Sequence, residues 1–337
     1  MKAVGYRKSL PITEKEALLD VELPVPVPGP RDLLVAVKAV SVNPVDTKVR
    51  MRAAPPAGET KVLGWDAAGV VERVGAAVTL FKPGDAVFYA GSIARPGTNA
   101  ECHLVDERIV GRKPASLSFA EAAALPLTAI TAWELLFDRL GLRPGKPADA
   151  GSLLVIGGAG GVGSILIQLA RRLTGLTVIA TASRPETRAW CLELGAHHVI
   201  DHAEPLAAGL ARIGLPQVPY VAGLTATDRH FPAIVEIIRP QGRFALIDDP
   251  PTLDINPLKR KSVSVHWEFM FTRAVFETED MIAQHRLLNE VADLVDAGLL
   301  RTTLAERFGA IAADNLKRAH ALIESGRSRG KIVLEGF

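Results

Sequence analysis

The sequence predicts an α/β protein in two parts, a strand-rich, partly open β-barrel and a doubly wound parallel sheet. Three observations carry this expectation. The first 120 residues break into short strand-like runs separated by turn signals. After them, strand-like and helix-like runs alternate, the pattern of parallel strands joined by helical crossovers. Between the first such strand and helix, LLVIGGAGGVGSILIQLA (residues 153–170) interrupts an apolar run with five glycines and an alanine.

In chain order, VELPVPVPGP reads as a proline-rich turn and DLLVAVKAVSV as a strand running into Asn43-Pro44. LGWDAAGVVERVG and FKPGDAVFYA are further strands, the second entered through the turn Lys82-Pro83-Gly84-Asp85. Residues 119–140 change to alanine- and leucine-rich helical spacing interrupted by Pro126, with Ser118 and Glu121 set as a capping box. SLLVIGG, TVIATAS, HHVIDH and RFALID then read as strands, with VGSILIQLARRLTG, RPETRAWCLELG and FPAIVEIIRPQG as helices among them. SVSVHWEFMF is another strand, MIAQHRLLNEVADLVDAG and ADNLKRAHALIESG are helices, and GKIVLEGF is a closing strand.

A chain of 337 residues is long for a single core, so two domains are expected. Hydrophobic residues at 48% and charged residues at 23% fit a globular protein. A net charge of +2, without like-charge blocks, argues against nucleic acid or a membrane surface as partner. No apolar run approaches the roughly 20 residues of a bilayer span, and MKAVGYRKSL lacks a signal core. The expectation is a cytoplasmic enzyme. Two cysteines, Cys102 and Cys191, rule out a disulfide framework or a multi-thiolate site. Both read as structural thiols.

The glycine cluster contains G-x-G-x-x-G at Gly158, Gly160 and Gly163. Between strand and helix, such glycines permit a tight turn, close approach of a pyrophosphate and close helix–strand packing. Backbone amides of Gly161, Val162 and Gly163 then open the helix and face an anion. A dinucleotide phosphate is the expected occupant. An NAD site places Asp or Glu about 20 residues on, at the end of the next strand. Here that strand ends in Ser183 and Arg184, and a hydroxyl with a guanidinium suits a ribose phosphate. NADPH is therefore expected over NADH.

SVNPVDTKVR, LGWDAAGVVERVG, FKPGDAVF, GGAGGVGS and GKIVL together resemble the medium-chain dehydrogenase/reductase superfamily, nearest its quinone oxidoreductase branch. The resemblance covers essentially the whole chain. It implies a GroES-like catalytic domain from residues 1–122 and 272–337, with a Rossmann NADP-binding domain, 123–271, inserted between. It further implies a homodimer through the strand at 262–271, which left unpaired would be an aggregation hazard.

Alcohol dehydrogenases of the superfamily supply catalytic zinc ligands where this chain has Asn43 and Trp65, and a third near Leu125–Leu127. None of these is a soft donor, so no metal is expected. Without zinc, reduction of an already electrophilic acceptor is the accessible chemistry. The expected function is a zinc-independent, NADPH-dependent reductase of quinones or activated α,β-unsaturated carbonyls. An enoyl-thioester reductase, or an NADPH-binding redox sensor without turnover, are the alternatives.

By the same resemblance Asn43, Asp46 and Tyr89 are candidate catalytic residues. Asn43 would bond a substrate carbonyl or form an Asx turn. Asp46 would orient neighbours or hold turn amides. Tyr89 would donate a proton or be a satisfied strand residue. Thr128 and Thr131 would anchor the cofactor or bond the preceding helical turn. Leu224, Thr225, Ile247 and Asp248 lie at carboxyl ends of strands, where open sheets bind ligands. His202 would stack near the adenine, and Lys331 would reach the cofactor phosphate region or be solvated.

Overall fold

The computed structural model describes residues 1–145 and 151–337. The chain divides into two compact units, Met1–Ile130 with Phe271–Phe337, and Thr131–Met270. The first boundary falls eight residues later than the expected 122/123, and the second one residue earlier.

The first unit begins with β1 (Lys2–Tyr6), β2 (Leu19–Glu22) and the long β3 (Asp32–Val42), which runs into α1 (Pro44–Arg52). Then follow β4 (Lys61–Val62), β5 (Ala67–Val74), β6 (Ala86–Tyr89), β7 (Cys102–Asp106) and β8 (Val110–Arg112). β1, β2 and β4 form a small sheet, while β3 is the spine of a larger one. Valines and alanines on both faces of β3 and β5 are buried, so these strands carry near-continuous apolar runs.

Ser118 and Glu121 form the expected capping box at α2 (Phe119–Ala123). Pro126 ends that helix and opens α3 (Pro126–Trp133), which widens into π-turns over Glu134–Arg139. The whole stretch Phe119–Arg139 is 21 residues and apolar enough to cross a membrane by length and composition, against the expectation that no run is long enough. It is mostly buried inside the protein, and apolar on all sides for that reason.

The second unit contains one six-stranded, fully parallel sheet. Its elements are β9 (Ser152–Ile156), α4 (Gly161–Leu173), β10 (Thr177–Thr181), α5 (Pro185–Glu193), β11 (His198–Ile200), α6 (Leu206–Arg212), β12 (Val218–Gly223), α7 (Thr227–Ile237), β13 (Ile238–Leu246) and β14 (Ser264–Trp267). The order across the sheet is β11-β10-β9-β12-β13-β14, that of a dinucleotide-binding Rossmann sheet. Direction of winding reverses between β9 and β12, and ligands of such sheets bind beside that point at the carboxyl ends. Leu154, Ile179, Val221, Phe244 and Leu246 pack the core against Phe231, Ile234 and Ile237 of α7. The strand expected over 262–271 is shorter, spanning Ser264–Trp267.

The chain then returns to the first unit with α8 (Thr272–Phe276), α9 (Ala283–Asp296), β15 (Leu304–Arg307), α10 (Ala313–Glu324) and β16 (Lys331–Glu335). β16 inserts between β15 and β3, so the larger sheet runs β15-β16-β3-β5-β6-β8 with β7 also paired to β3.

Candidate functional site

In the second unit the glycine loop joins the carboxyl end of β9 to α4. The tight turn is made by Gly157, at φ +87°, and not by Gly158 as the motif's order suggests. Gly158 is a packing glycine: a Cβ there would lie 2.7 Å from Ala180 Cβ and 3.3 Å from Cys191 Sγ. Gly163 is more constrained, since its Cβ would fall 2.5 Å from both Gly157 O and Gly158 O. At Gly160 the only neighbour is Gly157 O at 3.5 Å, so this backbone faces open space. That is the cradle a pyrophosphate needs, with the first-turn amides of Gly161, Val162 and Gly163 lacking intrahelical acceptors.

Two ties hold the loop that the motif does not reveal. Gly157 N donates to Thr181 Oγ1 at 3.0 Å, fixing the turn to the end of β10. Ser164 Oγ donates to Gly160 O at 2.7 Å and accepts from Trp190 Nε1 at 2.8 Å. Thr181 is the last residue of its strand, and that position is the only sequence signal it carries.

Ser183 and Arg184 follow β10, Ser183 exposed and Arg184 partly so, with Arg184 Nε 3.3 Å from Glu186 Oε1. Leu224 and Thr225 follow β12 and pack against the loop, Thr225 Cγ2 lying 3.0 Å from where a Gly157 Cβ would be. His202 follows β11 and is exposed. Ile247 N donates to Gly223 O at 3.2 Å at the end of β13. Asp248 has a structural task. Its carboxylate accepts from Thr227 N at 2.8 Å and Thr227 Oγ1 at 2.5 Å, capping α7 after the left-handed Ala226. These residues come from the ends of β9 to β13 and gather at one edge of the sheet. Thr131 is buried in this unit.

In the first unit, a buried polar network connects α1, the loop before β5, α3 and β16. Asp46 accepts from Asn43 N at 2.6 Å and Gly64 N at 3.1 Å. Asn43 Nδ2 donates to Asp66 Oδ2 at 2.8 Å and Ser41 O at 3.4 Å. Asp66 Oδ1 accepts from Leu127 N at 2.7 Å. Lys331 Nζ closes the network, donating to Val42 O at 3.1 Å, Asp66 Oδ2 at 2.9 Å and Asn43 Oδ1. All four side chains are at most 3% exposed. Burial pushes the Asp46 carboxyl up to about 7, against the pull of the Asn43 amide and the Lys331 charge, and burial likewise raises Asp66.

Several expectations are corrected here. Asn43 has both amide hydrogens committed and its oxygen bonded to Lys331, so it has no donor to offer a substrate carbonyl. Lys331 is neither solvated nor directed at a phosphate, because its three hydrogens are spent inside the network. Tyr89 is 0% exposed, and its hydroxyl bonds His103 Nδ1 at 3.2 Å beneath a stacked imidazole. Burial raises the phenol and lowers His103 to about 4; with both side chains buried and His103 Nε2 on Pro96 O at 3.0 Å, the pair is bonded within the fold. Thr128 donates to Leu125 O at 3.0 Å, serving its own helix and not the cofactor. Trp65 is fully buried, with Nε1 on Ser92 O at 3.1 Å. Sequence reasoning missed Asp66 as the hub, since its partners lie 23, 61 and 265 residues away.

Comparison with known proteins agrees with both halves. Residues 29–132 match the alcohol dehydrogenase GroES-like domain, and residues 194–334 the zinc-binding dehydrogenase family. A zinc-type alcohol dehydrogenase-like protein of Staphylococcus aureus is 42% identical over 336 residues, covering 99% of each chain. A crystal structure of a putative zinc-dependent alcohol dehydrogenase from Rhizobium etli is 63% identical, with a TM-score of 0.96 over 100% of this chain and 98% of that one. Escherichia coli quinone oxidoreductase in complex with NADPH is 26% identical, with a TM-score of 0.85 over 99% of this chain and 100% of that one. A loop shaped for a dinucleotide, on a sheet wound in this order, in a chain that also carries a GroES-like unit, makes the protein an NAD(P)H-dependent oxidoreductase of the medium-chain dehydrogenase/reductase superfamily, of the quinone oxidoreductase type.

Proposed function

We propose that the protein is a zinc-independent oxidoreductase that uses NADPH to reduce a quinone or an activated α,β-unsaturated carbonyl. The observation that carries the zinc-independent part is the Lys331 ammonium, bonded to Asn43 and Asp66 where a metal would need donors. An ammonium already satisfies these oxygens, and a second cation beside it would meet like-charge repulsion. Trp65 adds only carbon and a spent N–H. Among the described residues, no three His, Cys, Asp or Glu side chains form a metal-holding group.

With no Lewis acid to polarise an alcohol or aldehyde oxygen, the acceptor must be electrophilic by itself. Quinones and enones meet this need, because conjugation spreads the charge left by hydride. The nicotinamide supplies the hydride when bound. The protein's residues hold its phosphates on the Gly160 cradle, select the ribose phosphate with Ser183 and Arg184, and keep the loop rigid through Thr181. Asn43, Asp46 and Tyr89 have their polar groups committed, so we assign the proton that completes reduction to solvent.

We also propose a symmetric homodimer. β14 is an edge strand, and Trp267 and Phe269 are 57% and 50% exposed beside its open edge.

The test is oxidation of NADPH or NADH by chelator-treated protein, with quinones, enones, an enoyl-CoA and an aldehyde as acceptors. Turnover with quinones or enones, insensitive to chelator and weaker with NADH, supports the reading. Turnover only with aldehyde and lost on chelation overturns the zinc-independent part. Tight NADPH binding without turnover on any acceptor favours a sensor.

A further inference from the structure

The cradle of the second unit depends on one peptide whose orientation the backbone alone leaves open. Gly160 and Gly161 are consecutive glycines, so the unit joining them can turn over with no Cβ on either side to oppose it. Gly160 O and Gly161 N–H belong to this one unit, and in a planar trans peptide they point opposite ways. With the carbonyl held toward the helix, the N–H faces outward, and Gly161 is partly exposed. A turned peptide would offer an incoming phosphate an oxygen in place of a donor.

Gly160 precedes α4 at φ −71° and ψ 178°. Its oxygen accepts two bonds, from Ser164 N at 2.9 Å and from Ser164 Oγ at 2.7 Å. The direction of the second bond is forced. An indole N–H can only donate, so Ser164 Oγ, 2.8 Å from Trp190 Nε1, must accept there. Its single hydrogen is left for Gly160 O, with Ala159 O farther off at 3.4 Å. Ser164 is fully buried and Trp190 half-buried. The indole is placed by α5, whose next residue, Cys191, packs against Gly158.

Resting on the dinucleotide cradle described above, we propose that Trp190 is a positioning residue, which acts through Ser164 to hold the Gly160–Gly161 peptide with Gly161 N–H aimed at the pyrophosphate. The indole fixes the hydroxyl rotor, the hydroxyl fixes the carbonyl, and the carbonyl fixes the amide on the far side of its own peptide. Without the indole the hydroxyl is free to turn, and the Gly160 carbonyl keeps only its helical bond. A carbonyl that accepts two hydrogen bonds also polarises its peptide, which strengthens the N–H as a donor. The relay serves the part of the ligand that NADPH and NADH share. It therefore sets the affinity for both and the preference between them not at all.

The experiment measures dissociation constants by calorimetry for the full chain and for Trp190→Phe, Ser164→Ala and the double variant. Alanine suits the helix and phenylalanine keeps a ring in the seam, so the fold survives both changes. The ligands are NADPH, NADH and adenosine 2′-phosphate, which carries the ribose phosphate without a pyrophosphate. Ser164→Ala should weaken NADPH and NADH alike by about three- to tenfold, the range for one net hydrogen bond. Trp190→Phe should weaken both by a smaller factor, and adenosine 2′-phosphate should bind every variant as it binds wild type. The double variant should match Ser164→Ala, because the two groups act in series. Wild-type NADPH affinity in Ser164→Ala, losses that multiply in the double variant, or an equal loss for adenosine 2′-phosphate would each overturn the relay alone. A wild-type chain that binds neither dinucleotide overturns the reading of the cradle itself.

Discussion

Replacing Lys331 with Met probes the network of the first unit most directly. The substitution keeps the length of the side chain and removes the ammonium from between Asp66 and Asn43. Both ends of the Lys331–Asp66 pair are within 3% of full burial, so solvent cannot fill in for the lost charge. Breaking one side of a buried pair costs about 3–5 kcal/mol. At roughly 2–4 °C per kcal/mol for a unit of this size, the melting temperature should fall by about 6–20 °C at pH 8. Asp66 has an escape that makes the loss pH-dependent. Burial already raises its carboxyl, and without Lys331 it should take a proton well above the ordinary range. Acidification then neutralises the orphaned charge, and the gap between variant and wild type should close by up to about 1.4 kcal/mol per pH unit. Scanning calorimetry at pH 5.5, 7 and 8.5 reads both quantities. A melting temperature within 2 °C of wild type at every pH would refute the reasoning, since it would mean the lysine is solvated.

Three further outcomes are expected. Gly160→Ala should fold normally and lose at least tenfold in NADPH affinity, while Gly163→Ala should lose about 2 kcal/mol of stability or more because its methyl meets two backbone oxygens; equal denaturation midpoints for the two variants would contradict this division. Asp46 binds its proton more tightly folded (about 7) than unfolded (near 3.8), so its contribution is complete below pH 4 and lost as pH rises through 7. Wild-type stability should therefore fall by about 0.8 kcal/mol between pH 6.5 and 8.5, and Asp46→Asn, though weaker overall for want of one acceptor, should be flat across that window in urea titrations. Trp267→Lys should convert the proposed dimer to monomer in light scattering, and a wild type that is already monomeric would remove the dimer reading.

The second unit was largely legible because its signals are local. Strand, glycine turn and helix occupy one short stretch, and the crossover rule fixes the rest. Even there the residue doing the turning was misassigned, since G-x-G-x-x-G does not record that Gly157 holds the positive φ. The first unit was less legible. Asn43, Asp46 and Lys331 were each singled out, and the turn-amide reading of Asp46 was legible, but nothing linked the three into one network. What joins them is the pairing of β16 with β3, a contact between residues some 290 positions apart, and no periodicity along the chain encodes it. Tyr89 stayed open between proton donor and satisfied strand residue for the same reason, because only the fold places His103 over it. Thr128 shows the opposite case: its bond to Leu125 is local, and the helical spacing already contained it.

That β16 pairing also orders events during synthesis. Residues 131–270 form a self-contained sheet and can fold as soon as they leave the ribosome. The earlier segment cannot finish, because β3 keeps one open edge and Asp66 keeps an unanswered charge until residues 331–335 have emerged. The nascent protein therefore carries a completed nucleotide fold behind an unfinished neighbour, and its most exposed moment, to chaperones and proteases alike, is the interval before Lys331 arrives.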